Sequence, residues 1–333
     1  MTVYSYMSGF GFATPPTILD NQEIASRADI TDEWIVSRTG IRQRHILAPD
    51  QTGTDLALEA TRLCLARAQI EAAEISHIVY ATCTPDACCP SAACTLAGKL
   101  GLPGIMALDI NAACAGFVNG VEVADGLAAR RPEAQVLLVA SESLSHRCNW
   151  EDRTTAVLFG DGAAATLLSG AKARKGQGPL AAVKDVLLGS DGSKGELLLI
   201  SGGFSATPYK LGATVGPEYF IRMQGKLVFK HAVRCMTACC RELLNRNGLG
   251  QENIDLFVPH QANLRIIEAV GERLEITPER VFLNVDKYGN TSAASIPLAL
   301  GEAVKEGRIT TGMRVLLTSF GGGLTWGAAL LEF

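Results

Sequence analysis

Short apolar runs alternate with longer amphipathic segments along most of this chain, and no other feature constrains its fold as strongly. The runs His77–Thr82, Ile105–Ile110, Val136–Ala140, Ala164–Ser169, Leu256–Pro259, Val315–Phe320 and Ala328–Phe333 are bounded by Gly, Pro or polar turns. Several are apolar throughout, as strands covered on both faces are. Helices are expected between them, over Thr54–Ala68, Pro90–Leu100, Ala115–Ala129, Lys226–Asn247, Ala262–Leu274 and Ser292–Glu306. This order specifies an α/β architecture with layered sheets. Helices rich in alanine and glycine predict close contact between helix and sheet.

The stretch Ala171–Gly225 is the least apolar and holds many Gly, Ser and Pro residues. It places a boundary between two halves, 1–175 and 176–333. The formal net charge of −4 exerts no global pull toward nucleic acid, although a local basic patch for an acidic partner stays compatible with it. MTVYSYMSGFGFATPP lacks the basic segment and unbroken apolar stretch of a signal peptide. No run of about 18 apolar residues occurs that would span a membrane. A cytoplasmic protein without membrane or nucleic-acid contact is the expectation.

Ten cysteines are present, and without an export signal they read as reduced thiols rather than a disulfide framework. Cys83, Cys88, Cys89 and Cys94 cluster in sequence, but no CxxC pair and no suitably spaced histidine accompanies them, so no metal is expected. Cys235, Cys239 and Cys240 share a helical stretch and read as small core residues.

Four turns have a common design, in which an apolar strand ends at a polar or reactive residue and a new element begins. In IMALDINAACAGFVNGVEVADG, Cys114 stands at the first turn of a helix, where free N–H groups and the helix dipole favour a thiolate and can hold an oxyanion. In DLFVPHQANLRIIEAVGERL, His260 follows a strand, where it serves either a structural role or proton transfer beside a thiol. Asn290 in LNVDKYGNTSAASIPLAL is either a helix cap or a neutral donor. The three glycines of VLLTSFGGGLTWGAALLEF suit a tight hairpin or a close backbone approach to a ligand.

Together these segments resemble the beta-ketoacyl-acyl-carrier-protein synthase III family, the initiating condensing enzymes of bacterial fatty-acid synthesis. The resemblance runs nearly end to end: ITDEWIVSRTGIRQRHI at 30–46, PSAAC at 90–94, AACAGF at 112–117, LFGDGAAA at 158–165, VPHQANLRII at 258–267, YGNTSAAS at 288–295 and FGGGLTWGAAL at 320–330. It implies a thiolase-type fold, with two similar α/β halves in a five-layered α-β-α-β-α arrangement, assembled as a homodimer. It assigns Cys114, His260 and Asn290 as the catalytic triad, with the N–H groups of Cys114 and Gly322 as an oxyanion hole. It places Trp34 against the CoA adenine with Arg153 on its other side, and Arg38, Gly225, Phe229, Asn263 and Arg265 along the CoA and pantetheine channel. Lys230 and Arg265 would meet the acyl carrier protein. The implied substrates are an acyl-CoA, acetyl-CoA first among them, and malonyl carrier protein, with no metal or redox cofactor.

Three departures from relatives stand out. Cys89 occupies a place where several carry phenylalanine at the acyl pocket across the dimer, so it is the candidate for admitting a longer or branched primer. The loop Ser201–Tyr219 is longer than in the shortest relatives, and Glu272 stands where some have lysine. Asn290 disfavours the two-histidine elongating enzymes, and SFGGGLTWG lacks the second cysteine of thiolases. Polyketide or quinolone starter synthases share the Cys-His-Asn set. A Cys-His thioester hydrolase would need the thiol but no malonyl donor, and a non-catalytic acyl-binding protein would need none of the triad.

Overall fold

The computed structural model describes residues 3–212 and 214–333. Its first half runs β1 (Ser5–Ala13), β2 (Thr17–Asp20), α1 (Asn21–Ala28), α2 (Asp32–Thr39), β3 (Gln43–Ile46), α3 (Gly53–Ala68), β4 (His77–Ala81), α4 (Ala92–Lys99), β5 (Met106–Ile110), α5 (Gly116–Arg130), β6 (Gln135–Glu142) and β7 (Gly162–Gly170). The second runs β8 (Ala181–Ser190), β9 (Leu198–Leu199), β10 (Arg222–Met223), α6 (Gly225–Arg246), β11 (Leu256–Pro259), α7 (Leu264–Arg273), α8 (Val285–Tyr288), α9 (Ser295–Lys305), β12 (Arg314–Gly321) and β13 (Thr325–Glu332). The expected helices and strands are all present, with ends shifted by a few residues.

Nine strands follow the order β11-β12-β13-β8-β1-β7-β6-β4-β5. Each half repeats one plan. The first strand (β1 or β8) lies beside the last, and β4 and β11 run parallel to their neighbours β6 and β12. Only Tyr6↔Ala182 and Met7↔Ala181 join the halves across β1 and β8. Beside β11, Val281 makes a single parallel bridge to Phe257, a remnant of the place that β5 fills beside β4. The likeness of the halves, which the sequence does not reveal, is plain in this topology.

Period-two alternation explains why the strands read as apolar throughout. On β4 and β6, Ile78, Tyr80, Leu137 and Val139 face α3 and α4, while Val79, Ala81, Leu138 and Ala140 face inward. On β12 and β13, Leu316 and Leu330 face α6 and α7, while Leu317 and Leu331 face inward. Between the inward faces lie α5 and α9, through Phe117, Val121, Ile296 and Leu300. The result is five layers, α-β-α-β-α, as the resemblance implies. Cys235, Cys239 and Cys240 of α6 pack in the outer core, as small apolar residues should.

Two strands of the main sheet escape the sequence reading. In SYMSGFGFA, the pairing of β1 with β7 slips between Ser8 and Gly11, and Gly9 and Phe10 adopt positive φ. That bulge breaks the alternation on which the reading rests. β8 lies inside the least apolar stretch, Ala171–Gly225, because AAVKDVLLGS carries Lys184 and Asp185 on a half-buried strand.

Thr52 starts α3 with a capping box: its hydroxyl accepts from Asp55 N–H at 3.2 Å, and Asp55 accepts from Thr52 N–H at 3.0 Å. α3 then packs on β1 so closely that a Cβ on Gly11 would lie 2.2 Å from Ala60 O and 2.4 Å from Cys64 N. Both are backbone atoms, so neither can swing aside. Gly11→Ala should therefore destabilise the fold by about 3 kcal/mol, as overpacking of a closed core does. Urea unfolding checks this, and an unchanged midpoint would show that α3 can lift from β1.

Candidate active site

Four chain segments meet at the centre, each emerging where a strand ends. Cys114 sits in the tight turn Ala113–Ala115 between β5 and α5, His260 follows β11, Asn290 lies between α8 and α9, and the glycine triplet joins β12 to β13. Cys114 thus stands two residues ahead of α5 rather than in its first turn. Its neighbour Ala113 has φ 44°, a left-handed conformation that costs a non-glycine residue free energy. Ser319 of β12 secures the turn by donating its hydroxyl to Cys114 O at 2.6 Å. A Cβ on Gly321 would lie 2.6 Å from Cys114 N, so this first glycine of the triplet sets the approach of the two backbones.

Two cavities open beside Cys114. One, of about 450 Å³, is lined by Cys114, His260 and Asn290 together with Trp34, Arg38, Arg153, Gly225, Phe229, Asn263 and Arg265. Every residue anticipated for the triad and the CoA channel therefore faces one space. Lys226 joins Arg38, Arg153 and Arg265 in its wall, and none of the described residues lining it is acidic. It is Arg38 that stacks on Trp34, its guanidinium 4.3 Å from the ring centroid, while Arg153 lines the same cavity.

The second cavity, of about 430 Å³, lies on the Gly322 side. Apolar Leu144, Phe159, Ile200, Phe204 and Ile221 wall it beside Cys83 and Cys114. Phe204 reaches it from the long loop Ser201–Tyr219. Cys89 is exposed and lines neither cavity, and exposed Lys230 lies one helical turn beyond Lys226, outside both. Glu272 is exposed on α7. Among the described residues no cluster of three or more His, Cys, Asp and Glu side chains is disposed to hold a metal ion.

Hydrogen bonding settles which atoms face the cavity. Asn290 Oδ1 accepts from Ser292 N–H at 2.9 Å, so its oxygen is occupied and its amide N–H groups are left to donate. The cap and donor readings of this residue are thus compatible. Burial pushes the His260 imidazole down to about 3, so near neutral pH it carries one ring proton. Ser295 Oγ accepts from Gln261 N–H at 3.3 Å and lies 2.6 Å from His260 Nδ1. The Ser295 hydroxyl has no other acceptor among the described residues, which assigns its proton to Nδ1 and the ring proton to Nε2 as a donor.

Burial also pushes the Cys114 thiol up to about 12; the Ser292 hydroxyl opposes this and nearby Glu142 adds to it. Desolvation therefore outweighs the helix-terminus effect that would have favoured a resting thiolate.

The whole chain matches known proteins. The model of 3-oxoacyl-[acyl-carrier-protein] synthase III matches residues 108–192, and its C-terminal counterpart matches 244–333. A beta-ketoacyl-[acyl-carrier-protein] synthase III of Nitratidesulfovibrio vulgaris is 60% identical over 333 residues, covering all of both chains. The chain belongs to the beta-ketoacyl-acyl-carrier-protein synthase III family. A synthase III of Oleidesulfovibrio alaskensis is 54% identical, again over the full length of both. The crystal structure of the Aquifex aeolicus synthase III superposes with a TM-score of 0.88 at 40% identity, covering all of both chains. Membership makes the chain an acyltransferase of the condensing type.

Sequence reasoning missed Ser319, Glu142, Ser292 and Ser295. Ser292 and Ser295 lie within YGNTSAAS, two and five residues after Asn290, and that proximity was the available signal. Because thiolate is the reactive form, alkylation of Cys114 by iodoacetamide should rise about tenfold per pH unit between about pH 7 and pH 9. Peptide mass spectrometry checks this, and a rise that bends over around pH 8.5 would show an ordinary, unshifted thiol.

Proposed function

We propose that this chain initiates fatty-acid synthesis by condensing an acyl-CoA primer, acetyl-CoA first among candidates, with malonyl carrier protein. One observation carries the reading: a thiol and two neutral donors, His260 Nε2–H and the Asn290 amide, converge on one cavity with a cationic mouth. Cys114 attacks the primer thioester, and the N–H groups of Cys114 and Gly322 hold the developing oxyanion as CoA leaves. The malonyl thioester carbonyl then accepts from His260 and Asn290, which stabilise the enolate formed as carbon dioxide departs. That carbon attacks the acyl-Cys114 thioester and releases 3-ketoacyl carrier protein. These steps involve no net change of oxidation state at the protein, so acyl-CoA and malonyl carrier protein suffice as substrates without a redox cofactor.

Trp34 with Arg38, and Arg153 nearby, suit the CoA nucleotide, while Gly225, Phe229, Asn263 and Arg265 suit its pantetheine arm. Arg265 and Lys230 are the proposed contacts to an acidic carrier protein. The same reading includes a homodimer, with Cys89 near the acyl pocket of the partner, and a division of the chain at 175/176 between β7 and β8. A cytoplasmic site of action belongs to it as well; no helix among the described residues is long and apolar enough to cross a membrane.

Intact-mass measurement after exposure to acetyl-, isobutyryl- and longer acyl-CoAs tests the reading. Wild type should gain one acyl group, and Cys114→Ala none. His260→Ala and Asn290→Ala should still be acylated, yet lose malonyl decarboxylation by roughly a hundredfold or more, the effect of removing one donor from an anion hole. Release of free acid without carbon dioxide would overturn the condensing reading.

A further inference from the structure

Attack by Cys114 requires its thiol proton to leave, and the histidine is ill suited to take it. His260 Nε2 already carries a proton toward the cavity, and Nδ1 is engaged by Ser295. A buried acid acts on the same thiol. Glu142, the last residue of β6, is fully buried. Its carboxylate accepts from the Thr84 hydroxyl at 2.5 Å, the Thr82 hydroxyl at 3.3 Å, the Cys83 N–H at 3.2 and 3.1 Å and the Cys83 thiol at 3.4 Å. The Ser292 hydroxyl also donates to it, at 3.1 Å.

Ser292 has one proton, and Glu142 receives it. The serine oxygen keeps lone pairs free to accept, and Ser292 and Cys114 line one cavity. Ser292 is rigidly held. Its φ is 49°, its N–H is bound to Asn290, and its turn presses on the Cys114 turn. A Cβ on Gly116 would lie 3.1 Å from Ala293 Cβ and 3.2 Å from Ala81 Cβ.

We propose that Ser292 and Glu142 form the proton path for acylation of Cys114, a step that rests on Cys114 being the acyl acceptor. As the S–C bond forms, the thiol proton passes to Ser292 Oγ, the serine proton passes to Glu142 Oε1, and the carbonyl π pair moves to oxygen. Collapse of the tetrahedral species breaks the bond to the CoA sulfur, and the proton returns through Ser292 to that departing thiolate. In this path Ser292 meets the reacting sulfur directly and acts as a catalytic residue. Glu142 acts through it and is a positioning residue. Burial raises the Glu142 carboxyl above its ordinary range, which strengthens its ionised form as a base. The titratable groups facing it are Cys83 from the loop after β4, Cys114 from the turn before α5, and Tyr80 of β4.

Single-turnover acylation by acetyl-CoA, quenched and read by intact mass across pH, tests the path beside a separate assay of malonyl decarboxylation. Glu142→Gln should slow acylation on the order of a hundredfold while changing decarboxylation by less than about twofold. Wild-type acylation should fall as pH drops and Glu142 protonates, and the variant should lack that acid limb. Ser292→Gly should behave likewise, since glycine accepts the left-handed φ and keeps the N–H that holds Asn290. It decides the matter if Glu142→Gln does not fold. Faster acylation in Glu142→Gln would overturn the path, because removal of its charge alone lowers the Cys114 thiol. Wild-type acylation in either variant, or equal loss of both half-reactions in a folded one, would also overturn it. Absence of acyl transfer to wild-type Cys114 would instead reject the proposed function.

Discussion

Backbone pressed against backbone at the centre of the molecule is the contact on which the rest of the site depends. Gly321 meets the nitrogen of Cys114 at a separation that leaves no room for a side chain, and Gly116 packs tightly on the Cβ atoms of Ala293 and Ala81. Each glycine costs conformational entropy on folding, and burial of α5 and α9 between two apolar sheet faces offsets it. Turns from four distant parts of the chain are thereby held in one arrangement. Ser319, donating to Cys114 O, ties β12 to the turn that carries the sulfur. Preorganisation of this kind lets donors act on a developing charge without first reorganising.

The same burial determines the electrostatics. Desolvation leaves His260 neutral and keeps the Cys114 thiol protonated at rest. Charge is divided by position: Arg38, Arg153, Lys226 and Arg265 line the channel, whereas the interior offers neutral donors. Cations near solvent suit anionic substrates, with screening limiting their reach. Neutral donors in a dry interior suit an oxyanion or enolate that exists only transiently. Glu142 is the exception, a buried acid surrounded by donors from the loop after β4 and the turn before α9.

Much of the fold was legible because it is written in local pattern. Runs such as His77–Thr82 and Val315–Phe320 announced strands covered on both faces, and α5, α6 and α9 followed from amphipathic or small-residue segments. β1 and β8 were hidden for identifiable reasons: the bulge at Gly9–Phe10 interrupts one, and Lys184 and Asp185 leave the other within the least apolar stretch. Glu142 was hidden too, because a carboxylate ending VLLVASE reads as the start of a solvated loop. Its donors lie on other elements.

By itself the sequence determined the family, the succession of strands and helices, and the candidates Cys114, His260 and Asn290, since motifs and periodicity are properties of neighbouring residues. Tertiary structure alone decided which space those residues share and which atom of each faces it. It also overturned the thiolate expected at a helix terminus. A protonation state depends on how much water is removed and which dipoles replace it, and those come from distant segments. Ser292 and Glu142, 150 positions apart, bond to each other beside a sulfur that belongs to neither segment.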